Sequence, residues 1–304
     1  MNILVTGAWA QGKEATEELN ALGHKAVFMQ NEKDELPCKS AEIDAVICNG
    51  LFLYHSIDDF KNLRYIQLTS AGHDRVPMEK VREKNIKIFN AGGVYSVPMA
   101  EFAVGAVLQM LKKFSFFAEN QKKHQCVKNR ELVELNNKTV CIFGCGNIGS
   151  ECAKRFSAFG CRVLGVDVFE AEKEYFEKIV NIDKSKDILP EADVVVLTMP
   201  LTEKTRHSIN ESVFSLMKKG AIVVNIARGA LIDTEDLITA LKTSLGGALL
   251  DVFEDEPLDE NSPLWDFENV IITPHNSFVS DGNNKRLWDL IFHNLSVEQG
   301  GKNE

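Results

Sequence analysis

The chain has 304 residues, of which 44% are hydrophobic and 26% are charged, a composition that excludes disordered, collagen-like and coiled-coil proteins. Its length is about twice that of a typical single domain, so we expect a water-soluble protein with two domains of ordinary size. The formal net charge of −10 disfavours binding to nucleic acids and to anionic membranes, because both of those surfaces are negative.

The first residues and the cysteines indicate a cytoplasmic protein. The chain opens without a basic stretch followed by a sustained apolar segment, so we expect no secretory signal. The seven cysteines are an odd number without a CxxC pair, which predicts reduced thiols, no disulfides and no metal site. No apolar stretch reaches the ~20 residues needed to span a bilayer.

The first hundred residues alternate short β-branched runs with helical patterns. Strands are predicted at residues 2–6, 25–28, 44–48, 65–68 and 86–89. Strands that alternate with helices predict a parallel α/β sheet. An apolar helix is then expected over residues 98–114, followed by a charged connecting arm over residues 122–134.

A second alternating series follows the arm. Its predicted strands cover residues 139–143, 162–167, 192–198, 221–226, 247–252 and 270–273. They are nearly continuous Val, Ile and Leu runs, which are typical of a parallel sheet covered by helices on both faces. A last helix is expected from Arg286 to about Val297. The predicted fold class is therefore α/β, with two doubly wound parallel-sheet domains.

A glycine-rich loop follows the first strand of the second series. Gly144, Gly146 and Gly149 form the pattern GxGxxG between that strand and a helical stretch, and Asp167 ends the next strand. This context predicts a dinucleotide site with the pyrophosphate at the helix N-terminus. Asp167 is placed to bind ribose hydroxyls and would repel a 2′-phosphate, so we expect NAD as the cofactor, with NADH preferred over NADPH.

Residues 7–14 nearly match the spacing of a phosphate-binding P-loop. Glu14 stands where that motif needs a Ser or Thr hydroxyl to hold Mg²⁺. We therefore predict an ordinary strand-to-helix turn at this position.

Three later strand ends carry Arg228, Glu256 and His275. The carboxyl ends of parallel strands form the edge at which such sheets bind ligands. Taken one at a time, the three residues are better explained as a surface salt bridge, a loop carboxylate and a structural histidine than as catalytic groups. Only the set, in this order and with its flanking motifs, points to one chemistry.

Residues 198–202, 224–233, 248–258 and 273–277 together resemble the motifs of the D-isomer-specific 2-hydroxyacid dehydrogenase family, and the resemblance covers nearly the whole chain. It implies an NAD-dependent oxidoreductase that transfers a hydride reversibly between nicotinamide and C2 of a small 2-oxo or 2-hydroxy acid. The implied catalytic residues are Arg228, Glu256 and His275, with His275 as the acid/base.

The resemblance also implies binding residues for both ligands. The substrate carboxylate would be held by Arg228 and by the backbone amides of Ser70, Ala71 and Gly72. Asp251 would bind the nicotinamide carboxamide. The full set of implied coenzyme residues is Gly144, Gly146, Asn147, Ile148, Gly149, Asp167, Pro200, Thr205, Ala227 and Asp251.

The family organisation implies two domains and a dimer. A flavodoxin-like substrate domain would comprise residues 1–98 and 280–304, and a Rossmann coenzyme domain of residues 99–279 would be inserted into it. The apolar helix and the arm would form the interface of a homodimer.

Three residues depart from the family pattern. Asn137 replaces a glycine, Cys126 replaces a frequent tryptophan, and Asn276 replaces the Ile or Leu after the catalytic histidine. None removes a catalytic group, and their effects on the arm and on the substrate range stay open. The alternative function is an NADH-sensing binding protein of the corepressor type, which shares the fold and the three catalytic residue types. The physiological 2-hydroxy acid also stays open.

Overall fold

The structure is a computed structural model that describes residues 1–300, with side chains up to residue 296. In chain order its strands and α-helices are β1 (Asn2–Thr6), α1 (Gly12–Ala21), β2 (Lys25–Met29), β3 (Ala45–Cys48), β4 (Tyr65–Leu68), α2 (Met78–Glu83), β5 (Lys87–Phe89), α3 (Ser96–Leu111), α4 (Phe114–Lys122), β6 (Thr139–Phe143), α5 (Asn147–Ala158), β7 (Arg162–Asp167), β8 (Lys178–Asn181), β9 (Val194–Leu197), α6 (Glu211–Phe214), β10 (Ile222–Asn225), α7 (Thr234–Thr243), β11 (Gly247–Leu250), β12 (Val270–Ile272) and α8 (Asn283–Gly300). Within the described residues, no helix is both long and apolar enough to cross a membrane.

The chain divides into two compact units, which are described separately. The first consists of Met1–Tyr95 and the residues from Ser280 onward, and the second of Ser96–Val279. The sequence placed this boundary after residue 98, whereas the second unit begins at Ser96 because α3 starts there and packs into the core of that unit. Residues 301–304, which the sequence assigned to the substrate domain, lie outside the described residues.

The first unit is built on a five-stranded parallel sheet with the order β2-β1-β3-β4-β5. Successive side chains of a strand point to opposite faces, so β1 contributes to two cores. Ile3 and Val5 pack in one core with residues of α1 and α8, and Leu4 packs in the other. Helix α8 belongs to this unit because Leu287, Ile291 and Leu295, spaced four apart, are buried in the first of these cores.

The second unit is built on a seven-stranded parallel sheet with the order β12-β11-β10-β9-β6-β7-β8. The predicted α/β class with two parallel sheets is therefore confirmed. Strand β8 was missed from the sequence, because it lies at the sheet edge and Ile179 is its one buried residue. An edge strand with a single buried position offers no apolar run to detect.

Several helix boundaries differ from those predicted. Helix α3 ends at Leu111, and Lys113, with φ +54°, precedes a separate helix α4 that occupies the segment before the expected arm. Helix α8 begins at Asn283 instead of Arg286.

Candidate active site

Arg228, Glu256 and His275 lie at one edge of the second sheet. They follow β10, β11 and β12, which are neighbouring parallel strands, and the carboxyl ends of neighbouring parallel strands meet at the same edge. The structure brings Glu256 and His275 into direct contact, with 2.9 Å between Oε2 of Glu256 and Nδ1 of His275.

The Glu256–His275 pair has a defined geometry. Oε1 of Glu256 accepts a hydrogen bond from the backbone N–H of Phe253 at 3.2 Å, which orients the carboxylate. The ring of Phe278 stands edge-on to the imidazole, with 6.0 Å between the ring centroids. A carboxylate at Nδ1 fixes the ring and leaves Nε2 as the nitrogen that can exchange a proton.

The backbone of His275 adopts a left-handed conformation with φ +51°, which is uncommon for a residue other than glycine. The N–H of His275 donates to the carbonyl oxygen of Asp251 at 2.7 Å. The Asp251 carboxylate, which is 0% exposed, accepts hydrogen bonds from Thr273 Oγ1 at 2.6 Å, Asn276 N at 2.8 Å and Ser277 N at 3.0 Å. The structure thus assigns the Asp251 carboxylate to the turn that carries His275, while its contact with a nicotinamide carboxamide stays a prediction.

Arg228 is braced by a residue that the sequence analysis did not single out. Asn225, 1% exposed, donates from Nδ2 to the carbonyl oxygen of Arg228 at 2.9 Å and accepts from the N–H of Ala227 at 3.1 Å. Nη1 of Arg228 donates to the carbonyl oxygen of Ala227 at 2.8 Å. An Asn at the end of a buried Val-rich strand was the available signal, because a buried amide needs partners.

The glycine loop has the stereochemistry that dinucleotide binding requires. Gly144 has φ +94°, and a Cβ there would lie 2.6 Å from the backbone nitrogen of Met199. At Gly149 a Cβ would lie 2.0 Å from the carbonyl oxygen of Gly144. A Cβ at Gly146 would meet no described atom within 4 Å. The loop is thus closed toward the protein and open at the position expected to face a pyrophosphate.

Helix α5 begins at the loop with Asn147 and Ile148 as its first residues, and no side chain caps its first turn. The N–H groups of that turn therefore suit an anion. Asp167 lies beside the loop, where Oδ2 accepts from Cys145 N and Oδ1 from Val168 N, each at 2.7 Å. Each carboxylate oxygen retains capacity for a ribose hydroxyl.

The thiol of Cys145 lies within the same loop and is buried. Burial first, and then the charge of Asp167, raise the pKa of this thiol to about 12. The thiol is therefore protonated and unreactive near neutral pH.

Pro200 and Thr205 occupy one turn after β9. Thr205 Oγ1 donates to the carbonyl oxygen of Pro200 at 2.8 Å and accepts from the N–H of Thr202 at 2.7 Å. These bonds fix the shape of the turn, which follows the strand next to β6. The glycine loop follows β6 itself.

The proposed substrate residues Ser70, Ala71 and Gly72 follow β4 in the first unit. The carbonyl oxygens of Ser70 and Ala71 accept from Ala91 N at 2.9 Å and Asn90 Nδ2 at 2.8 Å. Among the described residues none accepts a hydrogen bond from the N–H groups of residues 70–72. The loop is therefore fixed through its carbonyl groups and presents amides that suit a carboxylate.

The residues of the near-P-loop segment form an ordinary turn, with α1 beginning at Gly12. The carboxyl ends of β1 and β3 are joined by Glu32, whose carboxylate accepts from Thr6 Oγ1 at 2.8 Å and from the N–H groups of Asn49 and Gly50, each at 2.7 Å. The Glu32 carboxylate thus occupies the hydrogen-bond donors that a phosphate would need at the carboxyl ends of these strands.

The structure accounts for two of the three departures from the family pattern. Asn137 has φ +63°, a conformation that Asn tolerates better than most residues, so it can stand where the family has glycine. Asn276 uses its backbone N–H for Asp251 and keeps its side chain exposed. Cys126 is an exposed free cysteine in the arm, and nothing in the structure explains that replacement.

Comparisons with known proteins place these features in context. The family model described as "D-isomer specific 2-hydroxyacid dehydrogenase, NAD binding domain" matches residues 104–277. The chain is 35% identical over 273 residues to a hydroxypyruvate reductase of Thermotoga maritima, covering 86% of this chain and 87% of that protein. It is 34% identical over 282 residues to a glyoxylate reductase of Thermofilum pendens, covering 90% and 83%.

Among solved structures, the D-lactate dehydrogenase of Aquifex aeolicus, complexed with NAD and lactic acid, matches with a TM-score of 0.80. Its sequence identity to this chain is 27%, and the match covers 99% of this chain and 96% of that one.

Proposed function

Because the chain belongs to the D-isomer-specific 2-hydroxyacid dehydrogenase family, we propose that it is an NAD-dependent 2-oxo acid reductase with His275 as its acid/base. The observation that carries this proposal is the 2.9 Å contact between Glu256 and His275 at the sheet edge that also bears Arg228. Relatives with 34–35% identity are named reductases, which favours an enzyme over an NADH-sensing binding protein.

The residues of the second unit fit the coenzyme. The open side of the loop at Gly146 and the uncapped start of α5 suit a pyrophosphate. NAD, when bound, supplies the hydride for the reaction. Asp167 is held rigidly by two backbone N–H groups, so its charge repels the 2′-phosphate of NADPH, and we propose that NADH is preferred.

Each catalytic side chain has a role that its chemistry supports. His275 donates a proton from Nε2 to the carbonyl oxygen of the oxo acid as the alkoxide develops. Glu256 orients the ring through its contact with Nδ1. The planar guanidinium of Arg228 binds the substrate carboxylate and polarises the carbonyl group. The amides of residues 70–72 supply further donors to that carboxylate.

We propose small 2-oxo acids with uncharged side chains as substrates, since similar proteins that match over most of their own length include ones named as hydroxypyruvate, glyoxylate and D-lactate enzymes. A D-3-phosphoglycerate dehydrogenase is also similar, but the match covers 56% of that protein. Residues 51–53 form an apolar segment after β3 in the first unit. Leu51 is fully buried in the core of the first unit and Leu53 is 59% exposed. Phe52 packs against the same core, with 5.8 Å between its ring centroid and that of Phe60. Of the three residues, Leu53 is therefore the one left for a substrate contact.

The arm supports the proposal of a homodimer. Phe114, Val127, Leu132 and Val133 are exposed apolar residues of α4 and of the arm that follows it, and a second copy of the chain would cover them. All seven cysteines are free, which fits a reducing compartment, so we propose a cytoplasmic location.

The decisive experiment measures NADH oxidation with a panel of 2-oxo acids. We expect turnover of glyoxylate, hydroxypyruvate or pyruvate, and a loss of about 10²- to 10⁴-fold in kcat for His275→Ala. Glu256→Gln should lower kcat, because the neutral amide no longer makes a charge-assisted hydrogen bond to Nδ1 of His275. Glu268→Gln, at an exposed carboxylate of the same unit, is the control. NADH binding without turnover of any acid would contradict the proposal and favour the corepressor-type alternative.

A further inference from the structure

A second histidine–carboxylate contact lies in the second unit, outside the roles assigned above. Nε2 of His207 lies 2.7 Å from Oε2 of Glu254, and Nδ1 lies 3.9 Å from Oδ2 of Asp233. The imidazole therefore faces two carboxylates, one on each side of the ring, and all three side chains are partly exposed.

The three residues come from three different strand ends. His207 follows β9 and belongs to the segment that carries Pro200 and Thr205. Asp233 follows β10 in the segment that begins with Arg228, and Glu254 follows β11 in the segment that contains Glu256. The imidazole of His207 thus contacts both the segment that contains Arg228 and the segment that contains Glu256, and it belongs to the segment that follows the turn of Pro200 and Thr205.

Backbone hydrogen bonds join the segment that contains His207 to the segment that begins with Arg228. The N–H of His207 donates to the carbonyl oxygen of Ala230 at 2.8 Å, and Ile209 pairs in parallel with Ile232. The residues after β9 therefore pair with the segment that starts at Arg228. These backbone bonds do not include the segment that contains Glu256.

Glu254 receives contacts from the neighbouring segment as well. Its Oε1 accepts a hydrogen bond from Thr234 Oγ1 at 2.9 Å. The backbone at Gly229 packs so closely that a Cβ there would lie 2.4 Å from the nitrogen of Glu254. The side chain of His207 adds a direct link from the β9 turn to Glu254, in the segment that also holds Glu256.

We propose that His207 is a positioning residue, which sets the Arg228 and Glu256 segments relative to one another through its contacts with Asp233 and Glu254. The inference rests on the proposed function, in which Arg228 binds the substrate carboxylate and Glu256 orients His275. An error of about 1 Å in such groups lowers the rate strongly even when its source is remote from the reacting atoms.

The test variant is His207→Asn, because the backbone of His207 has φ +49° and Asn tolerates that conformation. We expect kcat/KM for the oxo acid to fall by about 5- to 50-fold, with a raised KM. The Kd for NADH, measured by fluorescence titration, should change less than about twofold, because the glycine loop lies on β6. His293→Asn, at an exposed histidine of α8 in the first unit, is the control and should leave the kinetics unchanged.

A double-mutant cycle with Glu254→Ala tests whether the two side chains act together. The effects of His207→Asn and Glu254→Ala on kcat/KM should not add, so the double variant should be little worse than either single one. Full additivity of the two losses would overturn the proposal.

Hydrogen–deuterium exchange provides a readout that does not depend on turnover. In His207→Asn, exchange should rise in peptides covering residues 228–233 and 251–257 and stay constant at residues 144–149. A lower Tm with unchanged kinetics and unchanged exchange in these peptides would make His207 merely structural and overturn the proposal. If the unmodified protein reduced no oxo acid, the proposed function would fail, while the exchange data would still judge the role of His207.

Discussion

Asp251→Asn tests whether the buried Asp251 carboxylate holds the catalytic turn. The carboxylate accepts three hydrogen bonds from residues 273–277. The backbone carbonyl oxygen of Asp251 accepts a further hydrogen bond from the N–H of His275. The amide of Asn keeps one oxygen for Thr273 and Asn276 but turns an NH₂ group toward the N–H of Ser277. One charge-assisted bond is lost, and a buried donor remains without an acceptor.

The magnitude follows from the number of bonds affected. A hydrogen bond to a charged group contributes about 1.5–3 kcal/mol, so we expect Asp251→Asn to lower the free energy of unfolding by about 2 kcal/mol. Asp251→Ala removes all three bonds and should cost about 5 kcal/mol. For a unit of this size these losses correspond to about 4–8 °C and 10–20 °C in Tm.

The assay combines thermal unfolding, steady-state kinetics and NADH titration. The turn around His275 should loosen, so we expect kcat of Asp251→Asn to fall about tenfold while the Kd for NADH changes little. Asp266→Asn, at an exposed carboxylate of the same unit, controls for the loss of one charge. An unchanged Tm and kcat with a raised Kd for NADH would refute this reasoning and assign Asp251 to the nicotinamide carboxamide.

Four further outcomes are expected. Asp167→Ala should narrow the ratio of kcat/KM between NADH and NADPH, because it removes the charge that repels the 2′-phosphate; equal efficiency with both coenzymes in the unmodified protein would contradict this assignment. Arg228→Ala should raise KM for the oxo acid as well as lower kcat in initial-rate measurements, and an unaltered KM would exclude the guanidinium from substrate binding. Sedimentation equilibrium should give the mass of two chains, whereas a monomer at every concentration would rule out the homodimer. Cys145 of the folded protein should resist iodoacetamide at about pH 8, because its pKa is raised to about 12 by burial. Peptide mass spectrometry would measure the labelling rate, and a rate as high as that of the protein unfolded in urea would disprove this expectation.

Local sequence patterns were sufficient for the architecture and for the glycine loop. The run of valines in β9 and the alternation of such runs with helices predicted parallel sheets, because burial on both faces requires a continuous apolar strand. The pattern from Gly144 to Gly149 predicted the tight turn, because the steric demands of that turn act on adjacent residues. Strand β8 escaped prediction, because an edge strand with one buried residue leaves no such pattern.

The contacts within the site depend instead on the order of strands in the folded sheet. Glu256 and His275 are nineteen positions apart in the chain, and they meet because β11 and β12 are neighbours. The coenzyme role that the family resemblance implies for Asp251 stays a prediction, and the fold adds that its carboxylate is bonded to the His275 turn. The contact between His207 and Glu254 had no local signal, because a hydrogen bond between distant segments exists only once long-range packing has placed both partners.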